Sequence, residues 1–75
     1  MEVVNAEKKE LSGTVEKITY KNQENGYTVC TVKVGREHIT VVGVLPFISL
    51  GDDVKFVGSF TVHSVYGEQF LAEYY

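Results

Sequence analysis

Cysteine and histidine, the side chains that most often carry chemistry in a small domain, are few and scattered in this sequence. Cys30, His38 and His63 are isolated from one another and lack the paired spacing of a zinc site. No neighbouring base or cation activates the Cys30 thiol. The phosphate-binding pattern G-x-x-x-x-G-K-[ST] does not occur. The sequence therefore predicts no catalytic residue, no metal site and no cofactor in this chain, and indicates a function that depends on binding.

Aromatic and cationic side chains offer a second kind of chemistry, the stacking and ionic contacts that hold single-stranded nucleic acid. The candidate nucleic-acid-binding residues are Tyr27, Lys33, Arg36, His63 and Tyr66. Tyr27 follows a turn, where inward packing is as common as exposure. Lys33 and Arg36 are more typical of an ordinary solubilising surface than of a phosphate contact. Tyr66, beside Gly67 at a hairpin tip, is costly to expose unless a base or a protein covers it.

Three large side chains indicate a contact with protein instead. Phe47 and Ile48 belong to an irregular apolar segment, and no cation stands beside them to meet a phosphate. Tyr66 fits either kind of partner. The candidate protein-contact residues are therefore Phe47, Ile48 and Tyr66.

Short strands must position these residues, because the chain is rich in β-branched and aromatic residues and its glycines separate the apolar runs. The pattern predicts strands at residues 11–20, 27–34, 38–44, 54–63 and 68–75. In the first strand, Leu11 and Val15 share one parity whereas Ile18 and Tyr20 share the other. We expect a bulge near Glu16 to account for this switch of face.

The faces of the later strands follow from alternation. We expect the fourth strand to point Val54, Phe56, Gly58, Phe60 and Val62 inward, and the last strand to continue the core with Phe70 and Ala72. In the second strand the inward face stays open, because Tyr27 and Val29 compete with Cys30, Val32 and Val34.

Five short strands with a connector at residues 45–52 predict an all-β fold, a five-stranded Greek-key OB-fold barrel with little or no helix. An SH3-like barrel is the nearest competitor. The position of the connector between the third and fourth strands favours the OB-fold, in which this segment plugs one end of the barrel.

Size and charge narrow the range of functions. The chain has 75 residues and a formal net charge of −3, so we expect one domain at residues 11–75 after a flexible lead-in at residues 1–10, and any nucleic-acid contact must be local. No apolar run approaches the roughly 18 residues that span a bilayer, and the first residues lack the features of a secretory signal. The sequence predicts a cytoplasmic protein without a membrane contact.

Three stretches carry a family resemblance: Asn-Gly-Tyr-Thr-Val at residues 25–29, Val-Val-Gly-Val-Leu-Pro at 41–46, and His-Ser-Val-Tyr-Gly-Glu-Gln-Phe at 63–70. In this order and spacing they resemble the N-terminal OB-like domain of the RecD-like ATP-dependent DNA helicases, the stand-alone bacterial type. In that family pattern Gly26 and Gly67 correspond to turns, Gly43 to a strand bend and Phe70 to the core.

The resemblance implies a larger protein whose motor domains use ATP and Mg²⁺ to move 5′ to 3′ along single-stranded DNA in repair or recombination. The helicase motifs lie outside these 75 residues, so this chain would be a non-catalytic, excised domain. Its partners would be single-stranded DNA, bound weakly, and the motor domains of the same chain.

Two hypotheses from different classes follow. The first is an accessory nucleic-acid-binding module that contacts DNA through Tyr27, Lys33, Arg36 and Tyr66. The second is a protein-interaction or scaffolding domain that docks on the motor or on a partner protein, which the negative net charge favours.

Overall fold

Five strands close into a barrel in the computed structural model, which describes residues 8–65 and 67–74. The strands are β1 (Lys9–Lys21), β2 (Tyr27–Val34), β3 (Glu37–Val44), β4 (Asp53–His63) and β5 (Gly67–Tyr74). Their order around the barrel is β1-β2-β3-β5-β4, with β4 returning to β1, and only β3 and β5 pair in parallel. The described residues include no helix. The predicted all-β OB-fold is confirmed.

The long first strand bends at two bulges. Its pairing with β2 shifts register between Val15 and Lys17, and again between Ile18 and Tyr20. The predicted bulge near Glu16 is confirmed, whereas the second was not expected. Because each extra residue reverses the side that faces the core, Ile18 packs against the core and Tyr20 turns outward with 51% of its surface exposed.

The strand begins earlier than predicted. Lys9 and Glu10, which the sequence placed in the lead-in, pair with Gly58 and Val57 of β4. Lys8 forms an ion pair with Glu73 of β5. The rest of the predicted lead-in, residues 1–7, lies outside the described residues, as does Tyr75.

The inward face of β2, left open by the sequence, consists of Thr28, Cys30 and Val32, all completely buried. Tyr27 and Val29 therefore occupy the outer face. Thr28 avoids an unpaired hydroxyl because its Oγ1 donates to the Gly26 carbonyl oxygen at 3.0 Å.

One core fills the barrel, and the connector closes one of its ends as predicted. Leu45 and Ile48 of the connector are 0% and 1% exposed and belong to the core cluster. Two backbone hydrogen bonds hold the segment over β1, from the Gly51 amide to the Val15 carbonyl (2.7 Å) and from the Val15 amide to the Asp52 carbonyl (2.9 Å). The expectation that Ile48 contributes to a contact surface is wrong, because its side chain packs inside the barrel.

The expected inward face of β4 holds only in part. Phe56 and Gly58 are buried, but Phe60 is 36% exposed and Val62 is 79% exposed. The reason is that β5 pairs with β3 only around Val41 and Val42, so the β4–β5 hairpin extends past the closed part of the barrel. Phe60 lies at this rim and makes an edge contact with the ring of Phe70, at 5.0 Å between centroids.

Candidate nucleic-acid interface

A groove crosses the outer face of β1, β2 and β3 and reaches the turn end of the β4–β5 hairpin. It encloses about 460 Å³, within the range of about 300–1,000 Å³ for small-molecule and cofactor pockets. We call it the tyrosine groove; its lining residues are Thr19, Tyr20, Tyr27, Val29, Thr40, Val42, His63 and Gln69.

The two tyrosines are held by the β1–β2 loop, whose backbone is closed by hydrogen bonds. The backbone amide of Asn22 donates to the Tyr27 carbonyl oxygen at 2.8 Å, and the backbone amide of Gly26 donates to the Asn22 carbonyl oxygen at 2.8 Å. The side-chain nitrogen of Asn22 also donates to the hydroxyl of Tyr20 at 3.3 Å, and Asn25 Oδ1 accepts from the Tyr27 amide. Both ring-bearing residues therefore sit on a fixed frame rather than on a free loop.

The two tyrosines are diagonal neighbours on the outer face of the β1–β2 pair. Tyr20 pairs with Val29, and Tyr27 is two residues from Val29 on the same face of β2. Diagonal neighbours of this kind stand roughly 7 Å apart. A planar ring placed between two others needs about 7–8 Å, twice the contact distance of about 3.5–4.0 Å between carbon atoms.

Among the residues that the structure describes, the lining of the groove contains no lysine, arginine, aspartate or glutamate. Its floor is apolar at Val29 and Val42, and its polar groups are hydroxyls, an imidazole and an amide. The His63 ring is oriented by the Val65 amide, which donates to Nδ1 at 3.0 Å. An uncharged surface with aromatic walls fits the faces of bases better than phosphates.

Three cations lie outside the groove and form no ion pair with any residue that the structure describes: Lys17, Lys33 and Arg36. Lys17 projects from the outer part of β1, Lys33 from β2 and Arg36 from the β2–β3 turn, and all three are exposed. By contrast, Lys21 Nζ donates to the carbonyl oxygen of Ile48 at 3.3 Å. Lys55 Nζ lies 3.7 Å from Glu10 Oε1.

The structure brings together two of the predicted contact residues, Tyr27 and His63, in the groove. Lys33 shares the outer face of β2 with Tyr27, but six residues of strand place it roughly 20 Å away. Arg36 lies beyond Lys33 at the turn. Tyr66 lies outside the described residues.

The sequence interpretation missed Tyr20 and Gln69. Tyr20 was assigned to the inward parity, and only the second bulge of β1 brings it to the groove. Nothing in the sequence indicated that Gln69 lines a groove, because a glutamine in a strand is ordinarily a solvent-exposed residue.

A separate apolar surface lies on and beside the connector. Phe47 is 83% exposed, Leu50 63% and Val44 58%. We call these three residues the connector patch. Of the predicted protein contacts, Phe47 thus lies at the surface whereas Ile48 does not.

The remaining candidate for chemistry is Cys30, whose side chain is completely buried. Burial raises the pKa of its thiol to about 11, so the reactive thiolate is scarce near neutral pH. Across the part of the chain that the structure describes, no group of three or more acidic, cysteine or histidine side chains is arranged to hold a metal ion. That part also contains no helix that could cross a membrane.

Comparison with known proteins assigns the family. The family model of the OB-fold domain of the ATP-dependent DNA helicase YrrC matches residues 8–75, which includes every strand of the barrel. No solved structure matches the chain. The chain belongs to the OB-fold domain family of the ATP-dependent DNA helicase YrrC.

Proposed function

We propose that this domain is an accessory module of a DNA helicase that binds single-stranded DNA by inserting a base into the tyrosine groove. The observation that supports the proposal most strongly is the pair of outward tyrosines, Tyr20 and Tyr27, which are diagonal neighbours on β1 and β2 and line one groove. The family assignment supports the same class of function.

Bases and phosphates would meet different parts of the surface. The uncharged groove takes the base faces, whereas Lys17, Lys33 and Arg36 attract the backbone that continues toward the β2–β3 turn. Such a division explains how a chain with a net charge of −3 can contact DNA locally. Binding would be weak, because within residues 8–65 and 67–74 only these three exposed cations form no ion pair.

The finer features belong to the same proposal. The resemblance of residues 25–29, 41–46 and 63–70 supports a RecD-like parent protein. Its motor, using ATP and Mg²⁺, would move 5′ to 3′ along DNA in repair or recombination in the cytoplasm. This domain would then hold the strand beside the motor without taking part in hydrolysis.

The test is a titration of a dye-labelled single-stranded oligonucleotide with the wild-type chain and with the variants Tyr20→Ala and Tyr27→Ala, followed by fluorescence anisotropy. Loss of one stack costs about 1–3 kcal/mol, so each variant should bind roughly 5–150-fold more weakly. The matched control is Tyr74→Ala, because Tyr74 is 57% exposed but lies at the far end of β5. Equal weakening in all three variants, or in none, would contradict the proposal.

The connector patch supports a second candidate function, docking on the motor domains or on a partner protein. A phenylalanine with 83% of its surface exposed is costly in water. A Phe47→Ser variant should weaken association with the separately produced motor domains while the melting temperature stays within a few degrees of wild type. Unchanged association would count against docking through this patch.

A further inference from the structure

Gln69 of β5 is a largely buried polar side chain in the wall of the tyrosine groove. It is 9% exposed, and it makes no hydrogen bond with any residue that the structure describes. Within the described residues its amide is therefore left to hydrogen-bond with solvent or with a ligand. A place for a ligand is therefore the first explanation to test.

The amide of Gln69 opens into the tyrosine groove. Within residues 8–65 and 67–74, no side-chain oxygen or nitrogen is fully enclosed without a hydrogen-bond partner. The Gln69 amide must therefore reach solvent, and the groove that it lines, together with Tyr20 and Tyr27, provides the opening. A base held between the two rings would present its edge to this amide.

We propose that Gln69 reads the edge of the base that enters the groove and gives the domain a preference for adenine. This inference rests on the proposed function and extends it, because stacking between tyrosines accepts any base whereas an edge contact discriminates. A glutamine amide carries a donor and an acceptor side by side, which pair with N7 and the N6 amino group of adenine.

Two features favour adenine over the other bases. The amide can turn over and also match the donor and acceptor of thymine, so the pairing pattern alone does not choose. The two-ring face of a purine, however, covers more of the Tyr20 and Tyr27 rings than a pyrimidine does. On the N7 edge, adenine offers the donor and acceptor that a glutamine amide matches, whereas guanine offers two acceptors, N7 and O6.

The experiment compares strands of about ten thymidines, within the site size of an OB-fold, with strands in which one central base is adenine, cytosine or guanine. Anisotropy titrations give the affinity ratio of each substituted strand to the all-thymidine strand. The same ratios are measured for Gln69→Leu, for Gln69→Glu, and for the matched control Gln23→Leu, in which the same change is made in an exposed turn. A ratio taken on one protein sample does not depend on the fraction that is folded.

We expect the adenine strand to bind wild type and Gln23→Leu about fivefold or more tightly than the all-thymidine strand, the lower end for a bidentate base contact. Gln69→Leu should bring every ratio close to one. Gln69→Glu should raise the cytosine ratio, because a carboxylate accepts from the cytosine amino group.

Two results would overturn the inference, and they are distinguishable. Equal affinity of wild type for all four strands, together with weaker binding by Tyr20→Ala, would leave the groove as a stacking platform and remove the role of Gln69. No binding of any strand, even at low salt, would remove the proposed function and this inference with it.

Discussion

The dependence of DNA binding on salt can be worked out from the charges of the structure. Lys17, Lys33 and Arg36 are the exposed cations that form no ion pair with described residues. Each phosphate that they neutralise on a single strand contributes about −0.7 to the slope of log K against log salt concentration. Three contacts give a slope of about −2, which corresponds to a loss of about 20-fold in affinity between 50 and 200 mM salt.

Substitution of these three cations by glutamine, one and then all together, tests the predicted slope. Lys33→Gln should lower the slope to about −1.4, and the triple variant that also carries Lys17→Gln and Arg36→Gln should bind almost independently of salt. Lys55→Gln is the matched control, because Lys55 is committed to Glu10 and should leave the slope at its wild-type value.

Anisotropy titrations of one labelled oligonucleotide at four or five salt concentrations measure the slope for each variant. The stacking variants provide a useful contrast, since Tyr27→Ala should shift the line to weaker binding without tilting it. If the triple variant keeps the wild-type slope, the phosphates contact other cations. That result would refute the proposal that the DNA backbone runs past Lys17, Lys33 and Arg36.

Three further predictions concern the barrel itself. In urea denaturation, Gly58→Ala should lower the free energy of unfolding by about 1–3 kcal/mol or more, because its Cβ would lie 2.0 Å from a backbone oxygen of β5. Gly35→Ala should cost only about 1–2 kcal/mol, because Gly35 has open space around it and the cost comes from its left-handed backbone at φ +62°. Phe70→Ala should cost about 3–5 kcal/mol, whereas Phe47→Ala should stay within about 0.5 kcal/mol in the same assay, and equal losses would contradict the assigned core. Burial raises the Cys30 pKa from 9.0 to about 11, so the folded state favours the protonated thiol. The thiol therefore contributes fully to the free energy of unfolding below about pH 9, and this contribution is lost as pH rises toward 11. Thermal melts across this range should show a loss of up to roughly 2–3 kcal/mol relative to Cys30→Ala, and parallel curves for the two proteins would refute it.

The alternation of residues predicted the strands well but not where the barrel ends. Period-2 patterning in β4 identified Phe56 correctly, since it depends only on local geometry. It failed at Phe60 and Val62, because their exposure depends on how far β5 continues to pair with β3. That length is a property of closure between strands distant in sequence, and no local pattern encodes it.

The groove was predicted in part for the same reason. Tyr27 and His63 could be mapped from their positions on a generic OB-fold. Tyr20 reached the groove through a second bulge, and a single bulge would have turned it to the core. The separation between Lys33 and Tyr27 follows from strand length once the register is known.

The arrangement of the surface explains why an acidic domain suits an accessory role on DNA. A module beside a motor must let the strand pass, so tight electrostatic binding would oppose movement. In the proposed function, stacking on Tyr20 and Tyr27 would be made and broken one base at a time, and Lys17, Lys33 and Arg36 would be the cations that meet the backbone. Since stacking needs no neutralised phosphate, the hold on the strand should survive at salt concentrations that abolish the ionic part. The relative strength of the stacking contacts and of the ionic contacts, rather than the net charge of the domain, would then set how firmly the strand is held while it moves.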